Sequence, residues 1–207
     1  VGDRAIAFRH HILFDYAASR VYIDPHDVTA TAKMLRGNAA RGLMLGPALA
    51  FALQALWVES SDARDNFWHA IVELAGNEHA DAVGRSVASR AASEFPRSPA
   101  DVRSLAARVL ATNADGDYVA VAFANIVGAL AVRAEDKQPI AVDAWCHVAG
   151  SIGEEVKRDV AWPLRTLLYL LLGYKPQTEA LAELGKAARA LLAFGLSEPN
   201  SNGLVAS

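Results

Sequence analysis

The chain has almost no cysteine. Cys146 stands alone among 207 residues, which excludes an internal disulfide and any cysteine-based metal cluster, and suits a reducing compartment. A phosphate-binding loop is missing as well. GxxxxGK[ST] does not occur, and Gly150-Ser151-Ile152-Gly153 lacks the lysine and the preceding strand that such a loop needs. Gly-x-Ser-x-Gly is absent too. No assembled catalytic motif is legible, and the chain reads as a non-enzyme.

No hydrophobic run reads as a bilayer crossing either. "LRTLLYLLLG", from Leu164 to Gly173, contains Arg165 and falls short of the roughly 18–20 apolar residues a bilayer crossing needs. Gly42 to Val58 is Ala-rich and holds Gly46-Pro47. Both read as buried helices, with no membrane partner. The first ten residues carry Arg4, Arg9 and His10 around a short β-like run, without the apolar core of a secretory signal. A cytoplasmic location is expected.

What is there is a foldable chain. Hydrophobic residues make up 53% and charged ones 21%, which excludes general disorder. Alanine leads while Thr and Tyr are sparse, a balance that favours helices over sheets. The net charge of −3 gives no global attraction to nucleic acid or to an anionic membrane, so nucleic acid is not expected as a partner.

"RAIAFRH" alternates in the period-2 manner of a short strand around Ile6 and Phe8. From His11 the spacing becomes helical, and an amphipathic helix to Tyr22 is expected. Asp24 and Pro25 then suit the cap and first turn of a second helix, which Gly37-Asn38 ends. Further helices are expected over about 41–59, 62–75, 80–94, 99–112, 117–133, 142–156, 162–172 and 178–194, most of them separated by breakers such as "ESSD", "FPRSP", "NADGD" and "YKPQ". The fold class is all-α: an irregular α-solenoid-like stack of antiparallel helix pairs, of HEAT or TPR character, with one short N-terminal strand. No repeated residue signature accompanies it. The tail from 197 to 207 is polar and small, and reads as a flexible end.

Candidate chemistry starts with "FRHHILFDY" at Phe8 to Tyr16. His11 and Asp15 share a helix face, and with His10 and either His69 or His79 they could serve a small helical metal-dependent hydrolase. One short segment cannot surround a metal, however, and the neighbouring aromatics favour a packing joint. His69, after "NFW", is expected to border the core, and His79 to cap a helix. Cys146 and His147 are adjacent, the wrong arrangement for a thiolate–imidazole pair, so Cys146 reads as a small hydrophobe. Glu154 to Asp159 reads as a solvated helix end and turn. Trp57, Trp68, Trp145 and Trp162 all lie in apolar helical contexts and are expected in the core. Arg85, Arg90, Arg97, Arg103 and Arg108 give the middle helices a basic side.

"IAFRHHILFDYAASRVYI" resembles the segment that follows the nucleotide-binding core in bacterial STAND-type NTPases, the NACHT- and AAA-like signalling ATPases. The positions that carry the likeness are Phe8, His10, Leu13, Phe14, Asp15, Tyr16, Ala17, Ala18 and Arg20, with Ser19 before the arginine. The resemblance covers about the first 25 residues. It implies that 1–25 ends a winged-helix-like module, that 26–196 is the α-helical repeat region, and that the chain is a C-terminal piece of a larger protein. It implies no cofactor in this segment, with ATP and Mg bound only in the upstream NTPase domain in cis. Partners would be that domain and a protein trigger, with homo-oligomerisation through the parent protein. His10 is a candidate nucleotide contact. Phe8, His10, Leu13, Phe14, Asp15 and Tyr16 would form a structural joint onto the first repeat helices. The function so implied is a non-catalytic sensor and scaffold. A freestanding helical-repeat adaptor is the remaining alternative.

Overall fold

In the computed structural model, residues 11–24, 26–35, 39–58, 61–78, 80–111 and 116–197 are described. The expected strand around Phe8 lies outside them. Among the described residues the structure is all helix and turn: α1 (His11–Val21), α2 (Val28–Leu35), α3 (Ala39–Val58), α4 (Ser61–Gly76), α5 (Ala82–Glu94), α6 (Pro99–Leu110), α7 (Gly116–Glu135), α8 (Val142–Ile152), α9 (Arg158–Gly173) and α10 (Thr178–Ser197). They pack as antiparallel helix pairs.

The order of packing is that of two rows. Odd-numbered helices stack in sequence, α1 on α3, α3 on α5, α5 on α7 and α7 on α9. Even-numbered helices do the same from α2 through α4, α6 and α8 to α10. The rows are joined by contacts such as α4 on α5 and α7, and α8 on α9. The core lies between them. Its largest fully buried side chains include Trp68, Trp145, Phe67 and Phe123, and Trp57, Phe67 and Phe95 form an aromatic cluster with ring centroids 5.0–5.9 Å apart.

Local chemistry fixes the helix starts. Ser98 caps α6 with Pro99 in its first turn and Asp101 completing a capping box. The buried Asp101 carboxylate accepts from the Arg97 and Ser98 backbone N–H groups at 3.0 and 2.9 Å and pairs with Arg64 of α4. Its carbonyl accepts the Trp68 indole N–H at 2.7 Å. One residue thus ties the start of α6 to α4. The α5 start is capped by the Asp81 side chain, which accepts from Val83 and Gly84 N–H.

Several expectations are corrected here. Trp162 is 62% exposed and Trp57 is half-buried, so only two of the four tryptophans are fully in the core. Trp162 sits on α9 one turn before Arg165, whose guanidinium lies over its ring at 5.4 Å and over Tyr169 at 5.6 Å. His69 is exposed rather than bordering the core, because the apolar face of α4 is carried by Phe67, Trp68, Ile71 and Leu74 on either side of it. Helix α8 stops at Ile152, not 156, and α9 begins at Arg158, not 162. The charged run is therefore split: Glu154 and Glu155 are exposed in the turn, Lys157 reaches back to donate to the Leu110 carbonyl at 2.6 Å, and Arg158 and Asp159 open α9. The helices 40–58 and 118–135 are long and apolar enough to cross a membrane, and both are packed within the array, α3 on α1 and α5, α7 on α4, α5 and α9.

Candidate functional site

The N-terminal candidates divide. Phe8 and His10 lie outside the described residues, as does His79. On α1, His11, Leu13 and Tyr16 are exposed, while Phe14 and Asp15 are half-buried. Helix α1 sits on α3 through the buried Ala18, with Phe14 packed against the core and the Tyr16 ring edge-on to Phe51, centroids 6.1 Å apart. Aromatic packing thus holds α1 on α3. Among the described residues, no three His, Cys, Asp or Glu side chains form a group that could hold a metal ion.

Cys146 is buried within α8. Burial first, then the nearby Asp143 and Glu183 carboxylates, push its thiol up to about 12. The protonated form is held far from the range of a working nucleophile.

The basic side expected of the middle helices is divided by the fold. Arg97, in the turn before α6, donates to the Glu94 and Pro96 carbonyls. Arg103 and Arg108 belong to α6 in the even row, and Arg108 donates to the Asp65 carbonyl at 3.2 Å. Arg85 and Arg90 are on α5, in the odd row, where they line a groove against α7.

Two adjoining grooves run along that row. The first, between α3 and α5, is apolar and about 530 Å³, walled by Leu43, Pro47, Phe51, Val83, Val87 and Phe95. Glycines let α3 approach α5 closely beside it: a Cβ on Gly46 would lie 3.1 Å from Val83, and Gly42 lies against the Asp81 carboxylate. The second groove, between α5 and α7, is polar and about 590 Å³. Arg90 borders both.

The polar groove follows from two facing stripes at helical spacing. On α5 these are Ala82, Arg85, Ser86, Ser89 and Arg90; on α7 they are Asn125, Gly128, Ala129, Val132 and Arg133. Small side chains in the middle of both stripes leave the space open, and a Cβ on Gly128 would meet nothing within 4 Å. Arg133 is placed by the end of α7. Lys137 adopts φ 55°, Gln138 N–H returns to the Arg133 carbonyl at 2.8 Å, and the turn presents the Pro139 carbonyl to Arg133 Nη2 at 3.0 Å. Glu94 lies 3.6 Å from both Arg133 Nη1 and Arg90 Nε. Asn125 donates to the Ala75 carbonyl at 2.7 Å, which anchors α7 to α4.

Of these residues, sequence reasoning singled out Arg85 and Arg90 only. Arg133 and Asn125 were hidden because the periodicity of α7 defines its faces but not the helix each face meets. The small-residue stripe with an arginine at its end was the available signal. No protein-family model, curated protein or solved structure matches this chain.

Proposed function

We propose that this chain is a non-catalytic helical-repeat recognition scaffold, and that it regulates a STAND-like ATPase encoded upstream by responding to a protein or ligand trigger. The observation that supports recognition is the pair of adjoining grooves along α3, α5 and α7, one apolar and one lined by arginines. Stacked helices of this kind offer a long, fixed surface on which separated side chains keep their spacing. The ATPase half of the reading is supported by the N-terminal resemblance, with ATP and Mg bound in the upstream domain and assembly passing through the parent protein in the cytoplasm.

The test begins with the reading frame upstream of Val1. A strand followed by GxxxxGK[ST] and a helix is the expected finding, and a frame without it sinks the ATPase half. In the parent protein, ATP turnover with and without 26–196 should then differ; equal rates would remove the regulatory role. Leu43→Arg adds a charge at an exposed position on the apolar groove. It should change the response to the trigger while leaving Tm within about 2–4 °C of the parent.

A further inference from the structure

We propose that the groove between α5 and α7 is a binding site for a phosphate group, carried by a small anion or phosphate monoester. The inference deepens the reading of this face as a recognition surface and rests on it, but it does not depend on an attached ATPase.

Three observations carry it. Arg133 is only 8% exposed, and among the described residues its Nε has no hydrogen-bond partner, a costly state for a buried donor. Its Nη2 donates to the Pro139 carbonyl and its Nη1 faces Glu94, so the guanidinium plane is fixed before any ligand arrives. Arg85 is half-buried in the same groove, and among the described residues its guanidinium has no ion pair or hydrogen bond. Finally, the small residues between these arginines leave about 590 Å³ open, room for more than one phosphate.

The chemistry suits a doubly charged oxyanion. Guanidinium groups offer planar, paired N–H donors that match phosphate oxygens, and Ser86 adds a hydroxyl on the same wall. Glu94 and Asp136 offset part of the positive charge. The net charge of the groove is thus small, which favours a compact anion held by directed hydrogen bonds over a polyanion drawn in by field alone.

Isothermal calorimetry on the whole chain tests this, with inorganic phosphate as the probe at constant ionic strength and chloride as the control. Saturable millimolar binding is expected for phosphate and not for chloride. Arg85→Gln should weaken it about tenfold or more, the loss of one charge-assisted contact. Gly128→Leu should do the same by filling the groove, and it keeps the helix because it replaces a helical glycine where an added Cβ meets open space. Glycerol 3-phosphate distinguishes the source: tighter binding than inorganic phosphate assigns the site to a monoester, and equal binding to the free anion. No saturable binding by the wild type, or unchanged affinity in both folded variants, overturns the site. Either result leaves the apolar groove to be judged by Leu43→Arg alone.

Discussion

Trp68 and Trp145 are both fully buried, yet the same substitution should affect them differently. Trp68 donates its indole N–H to the Asp101 carbonyl, whereas among the described residues the indole nitrogen of Trp145 has no partner. Replacement by phenylalanine removes similar area at each site. At position 68 it also removes a buried hydrogen bond to a carbonyl that then keeps only its helical partner, and at position 145 it deletes an orphaned donor. Trp68→Phe should therefore cost about 1–2 kcal/mol more than Trp145→Phe in urea unfolding; equal losses would mean that the bond to Asp101 contributes nothing. Cys146 gives a pH-dependent case. Its folded thiol is raised to about 12 from 9.0, so between those values the unfolded chain binds fewer protons than the native one. Its contribution to stability is complete below pH 9 and declines as pH rises toward 12. Cys146→Ala should lose stability less steeply over that window. In the native protein at neutral pH, thiol reagents should label Cys146 only as fast as the fold opens.

Glycines at helix crossings show how the elements are held. Gly76, at the end of α4, lies where a Cβ would strike the Tyr118 backbone carbonyl of α7, and neither backbone can give without moving its helix. Gly76→Ala should cost about 1–3 kcal/mol. Gly128→Ala, on the open face of α7, should instead add about 0.4–1 kcal/mol, and thermal melts of the two variants should shift in opposite directions. A Cβ on Gly153 would lie 2.7 Å from the Ala187 Cα, so α10 is drawn close to the end of α8 in the same way. Most of the elements were legible beforehand. Pro99 after Ser98, Gly116 beside Asp117 and the Pro176 turn are local signals, and local signals set where helices start and stop. The α8–α9 junction differs from the expected one because Gly153 ends α8 early and α9 starts a turn ahead of Trp162. Pro163 is buried in the second turn of α9, inside the helix, where its missing N–H removes one backbone bond without ending the helix. Trp162 was misassigned for a related reason: an apolar neighbourhood along the chain does not say which face points inward. The groove was only half legible, since pairing α5 with α7 is a long-range fact that no local spacing encodes.

At the scale of the whole molecule, contacts run from each helix chiefly to the next in its own row and to neighbours in the other. Helices with partners on several sides should open last. Amide exchange is expected to be slowest in α4, α5 and α7, and faster in α1 and α10, which pack on fewer helices. Uniform protection across all ten helices would argue for a single cooperative unit. The row arrangement has a further consequence for how such a chain can change over generations. Because each helix is matched to the one two places along, duplication or loss of a helix pair would leave the neighbouring interfaces of the same kind in place. A one-residue insertion inside α5 would instead turn every later side chain by about 100°, carrying Ser89 and Arg90 away from α7. The groove can thus be kept through gains and losses of length between helices, but it is sensitive to small changes of register within them.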